Sequence, residues 1–322
     1  MVAYILRRLF YGAGVVIGVL GLLFILFFTV TSPEGMARKA LGEKAPPEAI
    51  EQWIVNHKYD RPMFSWDPTE WGDTLLGDHY WSMLSFEFGR SDADDRPIMD
   101  RIKAGAKPSL YLTVPLFIIG LLLSLSGAML VAFFRGTFID KSGLLVSVLA
   151  MSIPTMVYII AGQYLLGKVL LWFPISGFDR DPSMMWKFLM LPVIVGMIES
   201  LGGGVRFYRT VFLEESNRDY VRTARAKGCG ELQLMTRHVL GNAMIPLVTQ
   251  VVVAIPGLFL GMLLTESFFG IPGLGAAMVE AIHGNDFSTL RALVFIGCLL
   301  FIGAQIVTDI IYTVVDPRVR LK

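Results

Sequence analysis

Six long apolar segments run through the chain, and their length constrains the fold more than any other feature. A helix of about 20 apolar residues is long enough to cross the hydrocarbon core of a bilayer. Backbone polar groups in lipid must be bonded within the segment itself, so each segment is predicted to be helical. The sequence therefore predicts an all-α integral membrane protein with six transmembrane helices, at 9–30, 110–134, 143–171, 186–205, 244–264 and 292–315.

The first apolar segment follows Arg7 and Arg8, an arrangement that also occurs in secretory signal peptides. A signal peptide has an apolar region of about 7–15 residues, followed by a small-residue cleavage site. The segment at 9–30 is longer than that, and no such site follows Val30. It is therefore predicted to be an uncleaved first transmembrane helix.

The distribution of lysine and arginine predicts which side of the membrane the termini occupy. Six spans place both termini on one side. The segment 31–109 is set aside, because long loops cross a membrane largely regardless of charge. The side of the termini then carries 14 cations and the other side four, as follows: Arg7, Arg8, Arg135, Lys141, Arg206, Arg209, Arg218, Arg222, Arg225, Lys227, Arg237, Arg318, Arg320 and Lys322, against Lys168, Arg180, Lys187 and Arg291. Because short cytoplasmic loops are enriched in cations, both termini are predicted to be cytoplasmic.

The sequence shows no residue constellation typical of a catalytic or metal site. Its four histidines are scattered and form no zinc motif, and no nucleophile motif is present. The segment 162–169 has the spacing of a phosphate-binding loop, but Val169 replaces the Ser or Thr that would bind magnesium, and the segment is apolar. No catalytic residue, metal ligand or cofactor is predicted, and a net charge of +1 does not indicate a nucleic-acid partner.

Two acidic residues and a proline stand out within the apolar segments. Glu199 and Asp309 are costly to place in a membrane, so each either belongs to a proton or ion relay or makes a structural polar contact near the interface. Both alternatives are open at the level of sequence. Pro154 removes an intrahelical hydrogen bond and is predicted to kink the third span.

The longest internal loop, at 206–243, contains the densest group of cations in the chain. Its pattern predicts a short helix at 217–227, because glycine at position 228 is typical of a helix end. A second short helix is predicted at 231–240 and is again followed by a glycine.

The first of these helices has two distinct sides. Arg218, Arg222 and Arg225 follow an i, i+4, i+7 spacing and therefore share one face. The opposite side carries small and mixed residues: Tyr220, Ala224 and Lys227, with Val221 beside them. A small-residue face between arginines suits a groove on another protein, where the basic rims would meet carboxylates. The alternative is a basic loop that touches lipid phosphates and fixes the topology.

The same stretch carries a resemblance to a known family. DYVRTARAKGC (219–229), followed by RH (237–238) and NAMIP (242–246), resembles the cytoplasmic coupling loop of bacterial ABC-importer permeases of the dipeptide, oligopeptide and nickel branch. Further matches to this branch occur in the same order along the chain. They are ILRRL (5–9), FGRS (88–91), PI (97–98), PSL (108–110), FPISG (173–177), TESFFGIPGLG (265–275), AI (281–282), DF (286–287) and DIIYTVVDPRVR (309–320).

The sequence also departs from the pattern of these permeases. Arg222 rather than Glu stands at the first position of the general coupling-loop pattern, as is common in this branch, and Cys229 and Gly241 replace a usual aliphatic residue and a usual Arg. NHKYDRP (56–62) stands where the family has a sequence similar to LGLDRPL, and the Trp-rich stretch 64–81 resembles an insertion. The departures at 56–87 fall in an external loop, so they affect partner and solute more than fold.

The resemblance implies the fold and the function of a type I ABC-importer permease. Such a subunit forms half of a translocation path and works by alternating access, which separate ATPases drive. The implied partners are a second similar permease, two cytoplasmic ABC ATPases and an extracytoplasmic substrate-binding protein, in the lipid bilayer of a bacterial plasma (inner) membrane. Peptides are the first solute class implied, and nickel complexes or other small solutes are further ones.

Two groups of residues are expected to carry this function. The first group is expected to dock the ATPase: Arg218, Asp219, Tyr220, Val221, Arg222, Ala224, Arg225, Lys227 and Gly228. The second group is expected to serve helix packing or gating: Pro154, Gly270, Pro272, Gly273, Gly275 and Asp309. Of these, the loop at 270–275 is expected to form an external turn between the last two spans.

The chain is predicted to divide into four regions. They are an N-terminal segment with the first span (1–30), a mixed extracytoplasmic loop region (31–109), a five-helix core (110–316) that contains the coupling loop (206–243), and a cytoplasmic tail (317–322). The alternative function from another class is a stand-alone channel or ion-coupled carrier that uses Glu199 and Asp309 and needs no ATPase.

Overall fold

A computed structural model describes residues 2–29, 32–42 and 44–315, which are helical almost throughout. The α-helices, in chain order, are α1 Val2–Phe24, α2 Pro33–Leu41, α3 Pro47–Asn56, α4 Leu75–Leu84, α5 Ile98–Phe133, α6 Phe138–Met151, α7 Thr155–Gly162, α8 Pro182–Ser216, α9 Asp219–Ala226, α10 Glu231–Gln233, α11 Leu240–Asn242, α12 Met244–Leu260, α13 Leu263–Phe269, α14 Leu274–His283 and α15 Phe287–Val315. Shorter turns of other helix types are π-helical Ile25–Thr29, Gln163–Val169 and Leu234–Val239, and 3-10-helical Pro68–Asp73.

Four described helices are long and apolar enough to cross a membrane unaided, at Leu6–Phe28, Ile98–Phe133, Pro182–Ser216 and Phe287–Ile310. Two further candidate spans are bent pairs of helices: Phe138–Met151 with Thr155–Val169, and Glu231–Asn242 with Pro246–Leu260. Counting each bent pair once gives six spans, at the six apolar segments of the sequence. The prediction of an all-α membrane protein is confirmed for the described residues.

The helices extend beyond the apolar segments that mark the spans. α5 begins at Ile98, so the predicted boundary between 109 and 110 lies inside this helix. α8 continues to Ser216, so the first part of the predicted loop 206–243 is helical. An apolar segment shows only which part of the chain lies in the hydrocarbon core, whereas the hydrogen bonds of a helix can continue into water. The ends of the apolar segments and the ends of the helices therefore do not coincide.

The third apolar segment is not one kinked helix. Its two halves, α6 and α7 with its π-helical extension, meet at an angle of 93°. Pro154 lies at this break and cannot donate to the carbonyl of Ala150. That carbonyl accepts from the N–H of Ile153 at 3.3 Å and from the hydroxyl of Tyr158 at 2.8 Å. Pro154 was predicted to kink the third span, and the span is in fact broken at this proline into two helices.

The described part of the segment between the first and second spans combines short helices with turns and irregular backbone. It contains α2, α3, the 3-10 turn and α4, and its only described β contact is an isolated bridge between Arg90 and Pro97. α4 packs against α1. The Nε2 of His79 lies 3.1 Å from the carbonyl oxygen of Leu20, and the Tyr80 hydroxyl donates to the carbonyl of Ile17 at 2.9 Å. The described residues of this region form no β-strand, and its expected mixed composition stays a prediction.

The apolar interior falls into three clusters along the bundle. One lies where α1 and α15 meet α2–α4, one lies between α5, α7, α8 and the segment around Ile271, and one lies where α5 and α8 meet the helices at 219–247. The first and last of these clusters occupy opposite ends of the bundle. The last one positions the basic stretch of the sequence.

Candidate functional site

The basic helix, α9 with the glycine that ends it, has well-formed termini. Asp219 lies in its first turn and Arg225 in its last, where each charge is favourable to the helix dipole. Gly228 follows the helix with a φ of +88°. The N–H of Cys229 donates to the carbonyl of Ala224 at 3.2 Å, and the N–H of Gly228 to that of Arg225 at 3.0 Å, which is a Schellman motif. The predicted glycine stop is confirmed.

The inner face of the basic helix is apolar and anchored in its own chain. Val221 has no exposed surface and Ala224 is buried. They belong to a cluster with residues of α8 and of the following helix: Tyr208, Phe212, Leu234, Met235 and Val239. The interpretation of Ala224 as part of a face offered to another protein is therefore wrong, because its side is already covered by α8 and the 231–242 helix.

The outer face carries the three arginines, all of them exposed, as their shared face predicts. Each lies near a carboxylate of the same chain. Arg218 is 3.9 Å from Glu215, Arg222 is 3.6 Å from Asp219, and Arg225 makes two bonds of 2.6 and 3.0 Å to Glu231. This surface is therefore a mixed pattern of cations and carboxylates rather than a purely basic rim.

Tyr220 and Lys227, which were predicted to share a side of the helix with Ala224, are exposed rather than buried. Lys227 is exposed and ends the helix. The Tyr220 hydroxyl donates to Oε2 of Glu215 at 2.6 Å, and burial together with this carboxylate raises the pKa of Tyr220. The Tyr220 hydroxyl keeps its proton at neutral pH and so links the basic helix to the end of α8.

The glycine loop, residues 270–275, lies at the other end of α12. A carboxylate holds the backbone on either side of it, because Oε1 of Glu266 accepts from the N–H of Met262 at 3.2 Å and Oε2 accepts from the N–H of Ala276 at 3.1 Å. The N–H of Leu274 donates to Oγ of Ser109 on α5 at 2.8 Å. Glu266 has no exposed surface.

The glycines of this loop have specific reasons to be glycine. Gly270 ends α13 with a φ of +66°, in the left-handed region. A Cβ on Gly273 would collide with Glu266 and Ser109, and a Cβ on Gly275 would collide with the backbone of Leu263. Pro272 lies between them and is exposed.

The end of α13, directly before the glycine loop, contacts a second loop that also resembled the family pattern, FPISG at 173–177. The N–H of Gly177 donates to the carbonyl of Phe269 at 2.8 Å. The side-chain amide of Gln163 donates to the carbonyls of Ile175 and Phe268 at 3.1 and 3.0 Å. Two separate sequence motifs therefore form one surface at this end of the bundle.

Comparison with known proteins decides the family. The sequence profile described as "Binding-protein-dependent transport system inner membrane component" matches residues 120–321. The chain belongs to this family. It is similar to a putative peptide transport system permease of Brucella abortus (strain 2308), with 29% identity over 324 residues and 99% of both chains covered. It is also similar to the glutathione transport system permease of Escherichia coli (strain K12), with 27% identity over 336 residues and both chains fully covered.

Family membership confirms the importer-permease prediction at a coarse level. The permease is a multi-pass membrane protein of a transport system and not an enzyme, and ATP hydrolysis takes place in partner subunits. The family also implies a substrate-binding partner. Among the described residues, no group of three or more His, Cys, Asp and Glu side chains is arranged to hold a metal ion.

The two intramembrane carboxylates of the permease have separate partners. Oδ2 of Asp309 is 3.0 Å from Nε of Arg8, and Nη2 of Arg8 donates to Oδ1 at 3.1 Å, so the first and last spans are joined. Oε1 of Glu199 accepts from the hydroxyl of Thr155 at 2.5 Å. The structure therefore does not bring Glu199 and Asp309 together. The end of the DIIYTVVDPRVR motif, at 316–320, and the predicted tail lie outside the described residues.

Sequence reasoning missed several residues that shape these sites. Glu266 lies within the quoted TESFFGIPGLG motif, and an acidic residue in an apolar run was the available signal. Asp140 accepts from Nε of Arg209 at 2.7 Å and joins α6 to α8. Asp286 accepts from the hydroxyls of Ser91 at 2.5 Å and Thr289 at 2.6 Å and fixes the start of α15. No local pattern shows these long-range partners.

Proposed function

We propose that this permease forms half of the translocation path of a bacterial importer for peptides. Relatives covering the full length of the chain are named for peptide and glutathione transport, and glutathione is itself a small peptide. A second similar permease would supply the other half of the path. Two ATPases and one extracytoplasmic binding protein complete the proposed assembly.

The observation that carries the proposal is the construction of the basic helix. Its inner face is fixed to α8 through Val221 and Ala224, while its charged outer face is exposed. A helix attached in this way transmits a displacement of a docked ATPase to α8. Rocking of α8 and its neighbours would then alternate access to the path from the two sides of the membrane.

We assign both termini and the basic helix to the cytoplasm. Residues near the two ends of the described chain lie side by side, because Arg8 pairs with Asp309. This arrangement supports an even number of spans, and the excess of Lys and Arg supports the cytoplasmic assignment. The regions 31–109, 110–316 and 317–322 then correspond to the extracytoplasmic segment, the core and the cytoplasmic tail.

Site-specific crosslinking tests the docking assignment. A cysteine placed at Arg225, on the exposed face, is expected to crosslink to the ATPase in membranes that contain the whole importer. A cysteine at Asp95, which is exposed in the segment between the first two spans, serves as the control and is expected not to crosslink. Crosslinking of the control alone would contradict the proposal.

A bulky substitution at the end of the basic helix tests the same proposal by function. Gly228→Trp places a large side chain where a Cβ meets no atom of the permease itself within 4 Å. We expect loss of ATPase co-purification and of peptide uptake in proteoliposomes. If both survive, the basic helix is not the docking element. Flux through the purified chain without ATP or partners would support the carrier alternative instead.

A further inference from the structure

A cavity of about 530 Å³ opens beside Glu199, between the basic helix and the glycine loop. Its volume lies within the range of about 300–1,000 Å³ that small-molecule sites occupy. Its wall is built from four separate parts of the bundle, represented by Leu116, Pro154, Thr155, Gly196, Glu199 and Met262. We refer to it as the Glu199 cavity.

Two breaks in the helical backbone meet at the Glu199 cavity. One is the 93° break between α6 and α7 at Pro154. The other separates α12 from α13, where Gly261 has a φ of +76° and Met262 is extended. Non-helical backbone at membrane depth is tolerated only where protein covers it or where it lines a water-filled cavity. The Glu199 cavity therefore faces the path or a partner subunit rather than lipid.

Glu199 is the only ionisable side chain among the described residues that line the cavity. Its Oε1 accepts the hydrogen bond of Thr155, and no described hydrogen bond involves Oε2. A carboxylate within a membrane protein is costly unless it meets a cation, and the wall offers no lysine, arginine or histidine. The charge is therefore available to a group that enters the cavity.

We infer that the Glu199 cavity is a contact site for the transported solute, and that the Glu199 carboxylate binds an ammonium group of that solute, such as the free amino terminus of a peptide. In other transporters, interrupted helices likewise form solute sites near the middle of the membrane. Thr155 is a positioning residue that holds the carboxylate in place. The inference rests on the proposed function, because it assumes that the cavity belongs to the translocation path.

The test uses the complete importer in proteoliposomes, with one labelled peptide in two forms. One form has a free amino terminus and the other is N-acetylated. Glu199→Gln keeps an oxygen for Thr155 but removes the charge. We expect uptake of the free-amine form to fall by about 10-fold or more, because hydrogen bonds to charged groups contribute at least that factor. Uptake of the acetylated form is expected to stay at the wild-type level.

Thr155→Val provides the matched control. It removes the hydrogen bond but keeps the charge, so the preference for the free-amine form is expected to persist even where both rates fall. A purely structural Glu199 gives another result: Glu199→Gln and Thr155→Val would slow both peptide forms equally. That outcome, or a Glu199→Gln importer indistinguishable from wild type, overturns the inference.

A second measurement does not depend on altering Glu199. Met262→Cys is introduced in a background where Cys229 and Cys298 are replaced by Ser, and the thiol is labelled with a cationic or an anionic methanethiosulfonate. We expect the cationic reagent to react several-fold faster, and the free-amine peptide to slow labelling more than the acetylated one does. Faster reaction of the anionic reagent, or equal protection by both peptides, overturns the inference.

The two levels of the hypothesis fail differently. A wild-type importer that takes up neither peptide form contradicts the proposed peptide transport. A wild-type importer that takes up the free-amine peptide, together with a Glu199→Gln importer that does so equally well, contradicts only the role of the Glu199 cavity. Co-purification of the ATPases with each variant verifies assembly in both cases.

Discussion

The two ends of the permease use charge in opposite ways. Beneath the basic helix the enclosed side chains are apolar, with Val221 and Phe212 fully buried, while Arg218, Arg222 and Arg225 lie in solvent. At the glycine-loop end the enclosed groups include carboxylates: Glu266 has no exposed surface and Asp286 has 1%. The contact that fixes the basic helix is thus apolar, whereas the contact that fixes the glycine loop is a buried carboxylate.

This difference shows how each end attaches its functional segment to the rest of the fold. Apolar burial is not directional, so it attaches the basic helix firmly while leaving its outer charges free to meet a partner. A buried carboxylate is stable only when specific donors surround it, so it fixes the backbone that supplies them. The glycine loop is such a backbone, held by Glu266. The following predictions separate these two modes of attachment, from the largest expected effect to the smallest.

Glu266→Ala is expected to have the largest effect. It leaves the N–H groups of Met262 and Ala276 without their acceptor and should destabilise the permease by about 3–5 kcal/mol. The change is measured as a lowered Tm of the detergent-solubilised protein. Glu280→Ala removes a carboxylate that is exposed on the neighbouring α14 and serves as the control. Equal Tm values for the two variants would show that the glycine loop is held by other contacts.

Acidification is expected to weaken the glycine-loop end selectively. Burial lowers the pKa of His79 from 6.5 to about 4. Between these values the unfolded chain binds a proton that the folded chain does not, so stability falls as the pH decreases from 6.5 towards 4, by about 3 kcal/mol. Hydrogen exchange of α4 at several pH values measures this loss.

The matched variants for this pH effect are His79→Gln and His283→Gln. Replacing the buried His79 should flatten the pH dependence, whereas replacing the exposed His283 should leave it in place. A pH profile that is unchanged in His79→Gln would assign the effect to a different group.

Val221→Ala tests the apolar attachment. Two buried methyl groups and the space they fill contribute about 2 kcal/mol, so the basic helix should exchange its amide hydrogens faster and peptide uptake per ATP hydrolysed should fall. Thr223→Ala changes the exposed side of the same helix and is expected to alter neither quantity. The apolar anchor would lose its assigned role if both variants behaved alike.

Gly228→Ala separates conformation from docking. The φ of +88° makes a side chain cost about 1–2 kcal/mol, and no atom within 4 Å adds to this cost. Gly228→Ala and Gly228→Trp should therefore lower Tm equally, while only the Trp variant blocks the ATPase. A loss of ATPase binding in Gly228→Ala would place the effect in the helix end rather than in the contact surface.

Arg225→Gln is expected to have the smallest effect on stability. Its pair with Glu231 is about half exposed on both sides, and such pairs contribute about 0.5 kcal/mol. Tm should hardly change, whereas ATPase affinity should decrease and lose part of its dependence on salt. A large fall in Tm would mean that the outer face of the basic helix also contributes to the stability of the fold.

The sequence was informative where a feature depends on local pattern and uninformative where it depends on distant partners. Apolar length predicted the spans, and the i, i+4, i+7 spacing predicted that Arg218, Arg222 and Arg225 are exposed together. Ala224 is buried because α8 and the 231–242 helix pack against its side of the basic helix. A local sequence pattern does not predict where those two helices pack. The role of Glu266 likewise depends on a loop whose other support, Ser109, lies on α5.

The length of α8 has a mechanical consequence. Its 35 residues extend ~52 Å, while the hydrocarbon core of a bilayer is only ~30 Å thick. The end that carries the basic helix therefore stands clear of the lipid, like the long arm of a lever whose pivot lies at the far end of the helix. A tilt of ~10° about the far end of such a rod moves its tip by ~9 Å. A modest rotation at the membrane thus corresponds to a large stroke at the site where the ATPase is proposed to dock.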